Sequence, residues 1–210
     1  MPPGEFITLA EENGLIMRIG EWALRRACHD ATKWPPGVRV AVNLSPVQFQ
    51  RGDLVSIVVN ALAQSGLAPG RLELEITETA ALAAPDSACR VLESVRELGV
   101  RVALDDFGTG YSSLSHLMRL PLDKVKIDKS FTQQLGKSRK ADVLVANIAR
   151  LSSQLGMRVT FEGVETAEQL DRARALGVPA EGQGWLFGKP TPNAELGPLF
   201  AAELQPAAVA

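Results

Sequence analysis

The chain holds 210 residues, 46% of them hydrophobic and 22% charged, with a formal net charge of −2 and a pI near 5.8. That balance suits one globular α/β domain with a sizeable core and gives no basic footprint for a DNA or RNA polymer. No apolar run reaches the roughly 18–20 residues of a membrane span and no signal peptide opens the chain. The two cysteines, Cys28 and Cys89, lie in separate helical patterns, as core thiols in a reducing cytoplasm would.

Residues 5 to 33 carry apolar side chains at helical spacing: Phe6, Leu9 and Ala10, then Ile16, Ile19, Trp22, Ala23 and Ala27. Gly14 divides a short helix from a longer one, and Pro35-Pro36-Gly37 turns the chain. A repeating pattern follows. Strands are expected over 38–43, 71–78, 101–106, 124–128 and 158–162, with a short one around 180–185. Helices are expected between them, over 53–65, 85–98, 138–154 and 167–176, with a shorter piece near 113–120. The polar, alanine-rich end divides the chain into a domain over 1–195 and a tail over 196–210 that holds a helix end and disordered residues. Trp22, Trp34 and Trp185 read as packing residues. His29 and His116 read as surface or packing residues.

Strands alternating with helices predict right-handed βαβ units and a parallel sheet. Nearly every strand ends in an unusual polar residue: Asn43, Glu75, Asp105, Lys126, Glu162 and Gln183. No Gly-rich phosphate turn follows the first strand. That distribution favours a TIM-type (β/α)8 barrel over an open doubly wound sheet, which gathers its ligand groups at one switch point. Only six strands are counted where a barrel has eight, so the expected barrel is incomplete, with its first strands lacking.

Strand parity lets these side chains converge. Glu75 shares a face with Glu73 and Thr77, Asp105 with Ala103, Lys126 with Asp128, and Glu162 with Thr160. Asn43, Glu75 and Asp105 would offer one cation a neutral and two anionic oxygens, and Asp105 with Asp106 would bridge to a second. An oxygen-rich set without Cys or His favours Mg2+ or Mn2+ over Zn2+, and paired metals suit phosphodiester hydrolysis. Lys126 would orient a water or neutralise a phosphate. The structural alternatives are an Asp-Asp turn capping the next helix, and inward ion pairs of Lys126 with Asp128 or Glu162 that fill the barrel.

Six motifs, read in order, resemble those of the EAL-domain phosphodiesterases: Asn43-Leu44-Ser45, Glu75-Ile76-Thr77-Glu78, Asp105-Asp106-Phe107-Gly108-Thr109-Gly110-Tyr111-Ser112-Ser113, Lys126-Ile127-Asp128, Glu162-Gly163-Val164-Glu165 and Gln183-Gly184. The resemblance implies a TIM-type barrel that hydrolyses cyclic di-GMP to linear pGpG with two Mg2+ or Mn2+ ions per site. It implies Asn43, Glu75, Asp105 and Asp106 as metal ligands, Lys126 and Glu162 as groups acting on the water, and Glu165 as a supporting acid. Gln183 and Asp128 would line the site. Glu78 would anchor the loop Phe107, Gly108, Thr109, Gly110, Tyr111, Ser112, Ser113, which couples metal binding to dimerisation, either as a homodimer or with another EAL subunit. The Glu-Ala-Leu strand that names the family does not occur in these 210 residues, nor does the Arg that follows it. The alternative is therefore a non-catalytic module that binds cyclic di-GMP or regulates through dimerisation.

Overall fold

The structure, a computed structural model, describes residues 3–51, 53–83, 85–108 and 119–203. Two helices open the chain, α1 (Pro3–Glu12) and α2 (Ile16–Ala31). Between them the Asn13 side chain accepts a hydrogen bond from the Leu15 N–H at 3.0 Å. Then follow β1 (Val40–Leu44), α3 (Pro46–Arg51), α4 (Leu54–Ser65), β2 (Leu72–Thr77), α5 (Glu78–Ala83), α6 (Pro85–Glu97) and β3 (Arg101–Phe107). The chain continues through β4 (Lys124–Ile127), α7 (Lys129–Thr132), α8 (Arg139–Gln154), β5 (Arg158–Phe161), α9 (Ala167–Arg174), β6 (Ala180–Gly182) and α10 (Gly197–Glu203). Three of these helices, α3, α5 and α7, are not among those expected from the sequence. They are short, and α5 begins at Glu78, where the reading continued a strand. The helical piece expected near 113–120 falls mainly outside the described residues.

The six strands form one parallel sheet in chain order, β1-β2-β3-β4-β5-β6, with each consecutive pair hydrogen-bonded. This is the TIM-like barrel architecture with six strands. β2 shows how it is built: Leu72, Leu74 and Ile76 face the helices and are fully buried, whereas Glu73 and Glu75 face the concave side and are also buried. β4 repeats the scheme, with Val125 and Ile127 outward and Lys124 and Lys126 inward. Helix-facing residues supply the hydrophobic core, each fully buried aliphatic contributing roughly 1.5–3 kcal/mol. The concave side carries charge, which is stable there only because it is paired.

The sheet curls until its edge strands approach. Arg39, just before β1, reaches Glu181 of β6 with 3.2 Å between Nη2 and Oε1. Trp34 donates from Nε1 to Asn193 Oδ1 at 2.8 Å, and its ring lies 5.8 Å from that of Phe200. Arg71 sets the start of β1 against β2: its Nε donates to the Val38 carbonyl at 2.9 Å and its Nη2 to the Ala31 carbonyl at 2.7 Å. Trp34 thus packs as expected. Trp22 and Trp185 do not: they are 65% and 70% exposed, because the helical period that marked Trp22 places it on the outer stripe of α2, and Trp185 lies beyond the end of β6. Cys28 is buried, Cys89 is half-buried and both are free thiols. His29 is exposed. Among the described residues no helix is long and apolar enough to cross a membrane.

Candidate metal centre

Two layers of charge fill the concave side. The lower joins Glu73, Lys124 and Glu181: Lys124 Nζ lies 2.6 Å from Glu73 Oε1 and 2.9 Å from Glu181 Oε2. Arg158 meets Glu181 at 2.8 Å, on the same oxygen as Arg39. Burial works against the charge of Glu181, but Lys124, Arg158 and Arg39 prevail and hold its carboxyl below the ordinary glutamate value. A cavity of about 380 Å3 opens onto this layer between the edge strands.

The upper layer sits at the C-terminal ends of the strands. Lys126 is 3% exposed, and its ammonium contacts Glu75 Oε2 at 2.9 Å, Asp105 Oδ1 at 2.9 Å and Glu162 Oε1 at 2.7 Å. The side-chain amide atom of Asn43 that faces the acids lies 3.2 Å from both Asp105 Oδ2 and Glu75 Oε2. As nitrogen it donates to both carboxylates. As oxygen, turned by rotation of the amide, it would join them in a three-oxygen set facing a cation.

Asp105 and Asp106 reach the same mouth although they are consecutive. Strand geometry sends neighbouring side chains to opposite faces, and a bulge removes the conflict. The β3–β4 register runs Ala103 to Lys124 and Leu104 to Val125, then jumps to Phe107 opposite Ile127. Two residues of β3 thus oppose the single Lys126. Asp106 takes φ +54°, in the left-handed region that Asp tolerates better than most residues, and its N–H donates to Asp105 Oδ1 at 3.1 Å. Phe107 returns to the core. Carboxylate oxygens of Asp105, Asp106 and Glu162 consequently lie within 4.8 Å of one another. Like charges at that separation raise one another's affinity for a proton or a cation.

The electrostatics agree. Burial by itself would lower Lys126, but the hydrogen bond to Glu162, the charge of Glu75 and further bonds to Asp105 and Glu75 hold its ammonium above the ordinary lysine range. Burial pushes Glu75 up, Lys126 opposes, and the charges of Asp105 and Glu73 add to the rise. Glu162 is raised by burial, against Lys126 and with Asp105 and Asp106. Asp106 is raised by burial, then by Asp105 and Asp128. An all-oxygen set with one neutral amide and surplus negative charge fits hard divalent cations such as Mg2+ or Mn2+.

The remaining sequence candidates divide. Asp128 is buried, and its Oδ1 caps α7 by accepting from the Ser130 N–H at 2.9 Å, so it pairs with a backbone donor and not with Lys126. Gln183 and Glu165 line a second cavity of about 700 Å3 beside Glu162. Glu165 stands apart from the three-carboxylate cluster and accepts from Gln133 Nε2 at 3.3 Å. Glu78 is buried at the start of α5, and neither carboxylate oxygen finds a hydrogen-bond partner among the described residues. Thr109, Gly110, Tyr111, Ser112 and Ser113, with His116, lie outside the described residues; Phe107 and Gly108 lie inside them. Lys129, Gln133, Trp185, Phe187 and Lys189 also line the 700 Å3 cavity, and the sequence marks none of them as a site residue. The signal available was the run Gly184-Trp185-Leu186-Phe187-Gly188-Lys189, aromatic residues between glycines directly after a strand end.

The EAL-domain family model matches residues 1–190. This chain belongs to the EAL domain family. Over 198 residues, 92% of its length, it is 41% identical to the bifunctional diguanylate cyclase/cyclic di-GMP phosphodiesterase MucR of Pseudomonas aeruginosa and covers 29% of that protein. It is 43% identical, also over 92% of its length, to the cyclic di-GMP phosphodiesterase NbdA of the same organism, covering 25% of it. Cyclic di-GMP hydrolysis is therefore an activity found in the family. The solved MucR phosphodiesterase in complex with cyclic di-GMP superimposes on this EAL domain with a TM-score of 0.87, covering 93% of this chain and 81% of that one at 41% identity. Klebsiella pneumoniae BlrP1 with manganese and cyclic di-GMP gives a TM-score of 0.81 at 33% identity, covering 91% of this EAL domain and 49% of that chain. The chain spans about a quarter of the length of the curated relatives it matches.

Proposed function

We propose that this EAL domain hydrolyses cyclic di-GMP to linear pGpG, with Asn43, Glu75, Asp105 and Asp106 holding two divalent cations, Mg2+ or Mn2+. The observation that carries the reading is the convergence of Asn43, Glu75, Asp105, Lys126 and Glu162 from five strands on one mouth. Bound there, the cations would make a water acidic and offset charge on the phosphate oxygens. Lys126, held as an ammonium, has no lone pair and acts as a donor that orients the water. Glu162, with its carboxyl raised and hydrogen-bonded to Lys126, is placed to take the proton as the water oxygen bonds to phosphorus. The P–O3′ bond breaks, the 3′ oxygen gains a proton and the 5′-phosphate stays on the product. The adjoining cavity of about 700 Å3, with Trp185, Phe187 and Lys189 on its wall, has the size of a small-molecule site and offers aromatic surface to a base.

The catalytic unit in this reading is 1–195, with 196–210 a C-terminal segment. The free thiols Cys28 and Cys89 support a reducing, cytoplasmic setting. A second reading has the open sheet edge behind it: a non-catalytic module that binds cyclic di-GMP, or that regulates by pairing with a second EAL subunit, a copy of itself included. Calorimetric titration with cyclic di-GMP, run beside chromatographic product analysis in Mg2+ or Mn2+, separates them. Formation of pGpG supports hydrolysis, binding without product supports the binding module, and absence of both refutes these two and leaves regulation by pairing, which the oligomeric state in solution then tests.

A further inference from the structure

Two strands of the proposed metal centre are followed by glycines that rest on the same helical turn. That turn is α7, which begins directly after Asp128, two residues beyond Lys126. Phe131 packs on Gly108, the second residue after Asp106: a Cβ built on Gly108 would lie 2.7 Å from the Phe131 Cε2 and 3.1 Å from its Cζ. Lys129 packs on Gly163, the residue after Glu162, where a Cβ would come within 3.2 Å of the Lys129 Cα and collide with its Cβ. Both glycines have left-handed φ values, +99° and +63°, so each strand leaves the mouth by a backbone path that lacks both room and favourable torsion for a side chain. One four-residue turn is thus wedged between the backbone carrying Asp105 and Asp106 and the backbone carrying Glu162. Packed atoms in contact transmit displacement instead of absorbing it, and a ligand set tolerates only about 0.5 Å of error.

We propose that α7 is the spacer that fixes the separation of the Asp105–Asp106 carboxylates from Glu162, with Phe131 and the Lys129–Gly163 contact as its two positioning points. The proposal rests on reading that cluster as a metal centre. Phe131 touches no carboxylate of the cluster in this account; it acts through Gly108. A Phe131 that merely fills the half-buried space beside the core would cost stability on truncation and leave metal binding as it was.

The test is a Mn2+ titration of the full chain, followed by calorimetry and electron paramagnetic resonance, on the parent and on Phe131→Ala, Phe131→Leu and Gly163→Ala. Circular dichroism confirms the fold of each. The parent is expected to take two Mn2+ ions and show an exchange-coupled spectrum. Phe131→Ala and Gly163→Ala should each weaken the second ion about tenfold or more, the scale of outer-shell changes at metal sites, and replace the coupled spectrum by separate six-line signals. Phe131→Leu should restore most of both. In the double variant the loss should be smaller than the product of the single losses, since both act on one spacer. Folded variants that keep both affinities and the coupled spectrum, or that only melt earlier, overturn the spacer. A parent that binds no Mn2+ overturns the metal centre itself and the spacer with it, a failure visible before any variant is made.

Discussion

Replacing Lys126 by Met tests the upper layer most directly, because Met keeps the volume and removes the charge. Without divalent cations the Lys126 ammonium lies within 2.9 Å of Glu75 and Asp105 and 2.7 Å of Glu162. Losing it strands buried carboxylates, and breaking a buried pair from one side costs about 3–5 kcal/mol. Protonation limits that cost. From the ordinary glutamate value of 4.5, neutralising one carboxyl at pH 7 costs about 1.36 kcal/mol for each of roughly 2.5 pH units, or about 3.4 kcal/mol. A loss near 3 kcal/mol is therefore expected, lowering the melting temperature by about 6–12 °C for a chain of this size. Mn2+ at saturation should shrink the deficit, since cations then separate the same carboxylates. Melts followed by circular dichroism at pH 7, with EDTA and with Mn2+, read both quantities. A variant within 2 °C of the parent in EDTA, or a deficit equal in the two buffers, would refute this account of the site.

Lys124→Met offers the contrast: it breaks the buried pair with Glu73 and should cost about 3 kcal/mol, but with the same deficit in EDTA and Mn2+, which thermal melts in both buffers will show. Glu75→Gln and Asp105→Asn should each weaken Mn2+ by more than about 100-fold, beyond the range of outer-shell changes, and abolish any pGpG formation; calorimetry and chromatography read these, and an unchanged affinity would misplace the ligands. The pH dependence follows from directions. Glu75, Glu162 and Asp106 have folded values raised above their ordinary values of 4.5, 4.5 and 3.8, so the stability they contribute is present below those values and lost as pH rises through the raised ones. Glu181, held low, contributes stability above its ordinary value, lost only as pH falls through its folded one. The metal-free chain should accordingly gain stability as pH falls from 7 toward about 5. Mn2+ should reverse that slope, because protons compete for the same oxygens; equal slopes in melts with and without metal would contradict it. Iodoacetamide should label Cys89 alone in the native state, because Cys28 is buried and its thiol is pushed up to about 11; two adducts in the native mass spectrum would show that its helix opens.

The barrel-like sheet was legible because its signal is local and periodic. Alternation in Arg71-Leu72-Glu73-Leu74-Glu75-Ile76 and in Lys124-Val125-Lys126-Ile127 gave strands, and the glutamates and lysines of one parity proved to be the concave face. The order of those segments gave the order of the sheet. The three missed helices are each short, and such turns are stabilised by packing more than by a period long enough to read. Trp22 and Trp185 were misplaced because an aromatic side chain counts as apolar whichever way its element turns. Asp128 shares the parity of Lys126, yet its position directly before a helix made it a cap; parity describes a strand and ceases to apply where the strand ends.

Asp105-Asp106 shows where pattern reading stops and geometry begins. By alternation one of the two must face the helices, where an unpaired carboxylate would be costly, and the sequence contains no residue whose type alone forces the remedy. The remedy is the bulge opposite Lys126 and the φ of +54° at Asp106. A left-handed residue other than glycine is a strained choice that survives when its surroundings fix it. Those surroundings come from three directions: Phe107 buried behind it, Gly108 seated on Phe131 ahead of it, and the Asp105 carboxylate accepting from its own N–H. The strain places two acids within reach of Glu162, close enough for one cation to meet oxygens of all three. The least comfortable residue of the upper layer is thus the strongest structural argument for the proposal that the layer holds metal.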